Sequence, residues 1–134
     1  KIPNGCPGVQ DRLALVWTYG VETGKITRQR FVDIFATIPA KICGLFPQKG
    51  QIAVGSDADI VIFNPNWEGI ISVKDSYHGS DYNAFEGMEQ IGRPEKVFLR
   101  GKLTVENGKF TGIKGQGKYI KTKPFGLCYD DFEE

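Results

Sequence analysis

Apolar positions recur at helical spacing through the first third of the chain and give way to short β-branched runs after Gly50. Leu13, Val16, Trp17 and Val21 fall on one helical face, with Asp11 placed to cap the start and Gly24 to end the helix. Thr27 opens a second helix whose apolar stripe is Phe31, Ile34, Phe35 and Ile38. Pro39 lacks the amide hydrogen that the preceding turn needs, so a break is expected near Thr37. A short helix then restarts with Pro39 in its first turn and stops at Gly44. Two helices with one apolar face each need a further surface to cover them.

From about Gly50 to Gly112 the pattern is that of strands. "QIAVG" and "ADIVIFNP" are Ile- and Val-rich runs separated by the turn-forming "GSD", and "GIISV" predicts a further strand. "EKVFLRGKLTVENGKFTG" reads as hairpins with turns at Arg100-Gly101 and Asn107-Gly108. Between them lies "KDSYHGSDYNAFEGMEQIGRP", a polar and aromatic stretch without period. A loop of that length inside a compact unit is functional or covered by a partner. The last stretch, 115–134, has no core-forming period and is expected to be a tail lying on another surface. This gives three parts: 1–48, mainly helical; 49–114, a small β unit; and 115–134, the tail.

Composition narrows the class. The 134 residues carry 17 basic and 16 acidic side chains, so no electrostatic case exists for nucleic acid or an anionic membrane as partner. No apolar run approaches the roughly 20 residues of a membrane span. Cys6, Cys43 and Cys128 are odd in number and far apart, which reads as free thiols of a reducing compartment. A cytoplasmic protein is the expectation.

Candidate chemistry is sparse. A metal site wants three or four ligands from His, Cys, Asp and Glu, and this chain has one histidine, His78, read as a surface or interface residue with a ligand role as the alternative. Asp57 and Asp59 could pair for acid–base work, but "GSDAD" before an apolar strand reads more simply as a turn whose carboxylates bond nearby amides. Tyr77, Tyr82 and Phe85 could form a ligand platform or a face buried against a neighbouring subunit. Asp130, Asp131, Glu133 and Glu134 read as a solvated acidic end. The opening "KIPNGCPGVQDR" differs in kind. Its Asn4-Gly5 turn would aim backbone donors and acceptors in one direction, which suits a planar amide or imide, the plain alternative being a connecting turn.

At "IPNGCPGVQDR" the chain resembles the dihydropyrimidinase and D-hydantoinase family of metal-dependent amidohydrolases, whose segment reads IPNG-x-PG-x-EDR. "KGQIAVGSDADIVIFNP", "DYNAFEGM", "RGKLTVENG" and "GQGKYI" follow in the family's order, and together they cover nearly the whole chain. One departure is Gln10, where the family has Glu; a lost charge pair is the expected consequence.

The resemblance implies an α/β fold: the C-terminal end of a TIM (β/α)8 barrel followed by strands of a small β-sandwich. Residues 1–48 would be the last βα loop and terminal barrel helices, and 49–114 part of the sandwich. The tail, 115–134, would make a subunit contact in a homotetramer. The implied reaction is hydrolysis of a ring amide in dihydropyrimidines or hydantoins, with two zinc ions per subunit generating the attacking hydroxide. Those zinc ligands are expected before Lys1, so no catalytic or metal residue is assigned here, and the segment alone is expected to be inactive. The resemblance does carry over Asn4, whose backbone would meet the imide edge of the substrate. Gly5 would permit the turn, and Asp11 and Arg12 would anchor it. A non-catalytic alternative is the collapsin-response type of dihydropyrimidinase-like interaction protein, which "KPFGLCY" resembles.

Overall fold

The structure, a computed structural model, describes residues 5–122. The chain forms two compact units, Lys1–Arg28 with Phe63–Arg93, and Gln29–Ile62 with Pro94–Glu134. Asn4, Cys128 and the acidic end lie outside the described residues.

In the first unit, helix α1 (Arg12–Val16) runs directly into a π turn, Trp17–Val21, in which the Glu22 amide reaches back five residues to the Trp17 carbonyl at 3.0 Å. Asp11 precedes the helix as expected, but its carboxylate makes no capping bond. It is engaged elsewhere, as described below. The buried ridge of this helix is Ala14, Trp17 and Thr18. Trp17 meets Phe63 with ring centroids 4.7 Å apart and tilted by 47°, and the Arg28 guanidinium stands 5.7 Å from the Trp17 ring centre.

In the second unit, helix α2 (Arg28–Val32), of which Arg28 belongs to the first unit, passes through a π turn, Asp33–Thr37, into helix α3 (Ile38–Ile42). The expected interruption at Thr37 is therefore a change of helical register and not a break. Pro39 takes the first turn of α3, where its missing amide is tolerated. Phe31 is buried and touches Phe35, Ile34 is 36% exposed, and Ala40 is the second buried position.

The sheet has four strands in the order β1-β2-β3-β4: β1 (Ile60–Ile70), β2 (Glu89–Leu99), β3 (Lys102–Glu106) and β4 (Lys109–Phe110). "ADIVIFNP" and the start of "GIISV" merge into the single strand β1, whose Pro65 is acceptable because β1 lies at an edge. Both expected hairpin turns are present. Arg100, Gly101, Asn107 and Gly108 all have positive φ, which is the two-residue turn geometry that Asn-Gly favours. Thr104 is buried, and its hydroxyl donates to the Val97 carbonyl at 2.9 Å beside the irregularity in the β2–β3 register.

"QIAVG" does not form a strand. Ile52 and Val54 are fully out in solvent, and a turn from Ser56 N–H to the Ala53 carbonyl closes the segment. A strand needs a ladder, and none of the described strands pairs with this run.

The "GSDAD" carboxylates also differ from expectation. The turn's own amides are taken by carbonyls: Ser56 by Ala53, Asp57 by Gln48 and Asp59 by Asp57. The side chains instead converge on Lys49, which is 2.7 Å from Asp57 and bonded to Asp59. Asp59 also accepts the Arg100 amide at 2.7 Å, 41 residues on. Burial alone would lower the Lys49 ammonium, but its hydrogen bonds to Asp57 and Asp59 and their charges outweigh it and hold the group above its usual 10.5. The hydrogen bond from Lys49 holds the Asp57 carboxyl below its usual 3.8, against a smaller opposing effect of burial.

The Asp57 contribution to stability is thus present above pH 3.8 and lost as pH falls through its depressed value. The Lys49 contribution is present below pH 10.5 and lost as pH rises through its raised value. Lys49→Met is expected to cost about 1 kcal/mol at neutral pH. It should also change the acid dependence: from pH 6 to pH 3.5 the variant gains on the parent, because the parent begins to lose its Lys49–Asp57 interaction on protonation and the variant has none to lose. Urea unfolding of the complete protein at both pH values checks this, and parallel curves would refute it.

Candidate functional site

The opening segment 5–11 has no ladder of its own; it is a bend and turn feeding α1, with the Arg12 amide bonded to the Gly8 carbonyl at 3.0 Å. Its shape is set by the long polar loop, 72–88, of the same unit. That loop is pinched at its neck by two backbone bonds of 2.9 Å, Ile71 N–H to the Met88 carbonyl and Gly87 N–H to the Ile71 carbonyl. Inside the neck, the Glu86 carboxylate accepts the Ser72 hydroxyl at 2.9 Å and the Val73 amide at 2.6 Å, at the start of a 3₁₀ turn, Val73–Asp75.

From this braced loop, several groups reach the opening segment. The Tyr82 hydroxyl donates to the Gly5 carbonyl. The Gln10 side chain works at both ends: its Oε1 accepts the Tyr77 amide at 2.8 Å and its Nε2 donates to the Asp75 carbonyl at 3.2 Å. Asn83 Nδ2 donates to Asp11 Oδ2 at 2.8 Å with both residues buried, and Asn83 Oδ1 accepts the Phe85 amide at 2.9 Å. A Cβ on Gly8 would stand 3.4 Å from the Phe85 ring.

His78 is half-buried, and its Nε2 accepts the Gln10 amide at 3.3 Å. Among the described residues no three or more His, Cys, Asp or Glu side chains gather as a metal site. Of the aromatic trio, Tyr82 and Phe85 face the opening segment, whereas Tyr77 is exposed.

The residues singled out from the sequence are therefore placed as follows. Gly5 and Asp11 are both held by the 72–88 loop. Arg12 is exposed, with its backbone amide on Gly8. Asn4 lies outside the described residues, one peptide bond before Gly5. Gln10, Tyr82 and Asn83 were not read as anchors. Their partners are 65 to 77 residues away, and no local pattern announces such pairs. At Gln10 the amide uses both its ends, a pair of bonds that a carboxylate could only half reproduce.

Comparison with known proteins places the chain in a known class. A family model described as the amidohydrolase family matches residues 9–104, and the chain belongs to that family. Within it, the similarity is to hydantoinases and dihydropyrimidinases. The D-hydantoinase of Geobacillus stearothermophilus is 47% identical over 98% of this chain, and the dihydropyrimidinase of Rattus norvegicus is 46% identical over 93%. The structure of a D-hydantoinase (dihydropyrimidinase) from Thermus sp. superposes with a TM-score of 0.89 at 52% identity, covering 92% of this chain and 27% of that one. The chain spans about a quarter of the length of these curated relatives, 28% and 24% of the two named. No helix among the described residues is long and apolar enough to cross a membrane.

Proposed function

We propose that the chain is the C-terminal part of a zinc-dependent cyclic amidohydrolase that opens the ring amide of dihydropyrimidines or hydantoins. The observation that carries this is the likeness, close to half identical over nearly all of the chain, to proteins named D-hydantoinase and dihydropyrimidinase. The same likeness favours the enzyme over the interaction-protein reading. In this reading α1 to α3 are terminal helices of a (β/α)8 barrel and the strands belong to a β-sandwich. The outward-facing Ile52 and Val54 support a further strand partner for "QIAVG".

Two zinc ions per subunit, held by residues outside this sequence, would supply the hydroxide and polarise the ring carbonyl. This chain's own part is binding: the backbone at Asn4 would meet the imide edge of the ring, on the barrel face where such enzymes carry their sites. A cytoplasmic homotetramer completes the proposal.

The test is hydrolysis of dihydrouracil and hydantoin by the complete protein, with zinc measured on the same sample. Ring opening with about two zincs per subunit is the expected result. A folded, metal-free protein that opens neither ring would instead favour the interaction-protein reading.

A further inference from the structure

We infer that the 72–88 loop is a positioning element for substrate binding, with Tyr82 and Asn83 as the positioning residues that fix the opening segment before a ring arrives. The substrate half of this rests on the reading above, in which Asn4 meets the ring. The opening segment has no regular structure to hold its own shape. Its fixation comes from side chains placed at successive points along it. The Tyr82 hydroxyl holds the Gly5 carbonyl, immediately after Asn4. Gln10 lies across the backbone of Tyr77 and Asp75 as a peptide group of a neighbouring strand would, accepting from one and donating to the other. Asn83 ties the buried Asp11 carboxylate to the Phe85 amide, using both ends of its own amide.

The bracing continues behind these contacts. Glu86 holds the loop's first turn through Ser72 and Val73, so the clamp is itself braced. A binding loop held this way loses little conformational freedom on meeting its ligand, and that saving appears as affinity. Loosening it should therefore raise KM more than it lowers kcat, because the imide edge is contacted in both the ground and transition states.

Tyr82→Phe is the mild test, since it removes one hydroxyl from a partly exposed ring. In the complete enzyme we expect KM for the ring substrate to rise about three- to tenfold, the value of one hydrogen bond, with kcat within about twofold. Melting temperature and zinc content should be unchanged. Asn83→Ala should raise KM further and destabilise the protein. The exchanged pair Asp11→Asn with Asn83→Asp restores donor to acceptor and should recover most of the KM, which a purely structural loss elsewhere would not do.

Hydrogen exchange of the amides in 5–11 provides an arm independent of activity, and it should quicken in Tyr82→Phe and Asn83→Ala. Unchanged exchange, or an unchanged KM with quickened exchange, overturns the inference. Parent protein that opens no ring but shows quickened exchange in the variants would leave the clamp standing and sink its role toward substrate together with the hydrolase reading.

Discussion

Gly92→Ala is expected to cost about 3 kcal/mol, more than any other single substitution proposed for this chain. Two costs add at this position. Gly92 has φ +76 inside strand β2, a conformation in which a Cβ is itself unfavourable by about 1–2 kcal/mol. The added Cβ would also stand 2.6 and 2.7 Å from ring atoms of Phe63 and 3.0 Å from Cδ1 of Trp17. Those two rings pack on each other, Trp17 buried and Phe63 half-buried, so neither moves without disturbing the other. Chemical denaturation of the complete protein measures the loss, and a value under about 1 kcal/mol would refute the account. Phe63→Leu in the Gly92→Ala background should recover part of it, because the coupling lies between those two side chains.

Thr18→Val should cost about 2 kcal/mol even though the side chain keeps its shape. Thr18 is buried on the π turn after α1, and its hydroxyl performs a backbone task. It accepts the Ile91 amide at 2.9 Å and lies 2.7 Å from the Ala14 carbonyl and 3.1 Å from the Ile91 carbonyl, with one proton to give. Valine leaves the Ile91 amide of β2 without that acceptor in a partly buried place. Serine keeps the hydroxyl and should lose distinctly less, so the Val-minus-Ser difference isolates the hydrogen bond from the methyl. Equal losses for the two substitutions would show that packing, and not the bond, carries the effect.

How much of this was legible beforehand follows from range along the chain. The two hairpin turns could be read because Arg100-Gly101 and Asn107-Gly108 need only their own backbone preference for positive φ. The restart of the helix at Pro39 was likewise local, since a missing amide is tolerated only in a first turn. The π turns at Trp17–Val21 and Asp33–Thr37 left no such mark in the pattern. For the binding loop, the quoted motif pointed to Gly5, Asp11 and Arg12, but what holds the loop could not be inferred from it.

The sequence by itself determined the family, the sites of the tight turns and the type of most elements, because each depends on residue types close together in the chain. Tertiary structure alone decided that "QIAVG" joins none of the described strands, that Asp57 and Asp59 share Lys49, and that Asn83 and Gln10 set the opening loop. The physical reason is the same for each of these side chains. A buried or half-buried polar group must find a partner, and which partner it finds depends on what the fold brings near it. For Asp59 that partner is 10 residues away along the chain, and for Asn83 it is 72.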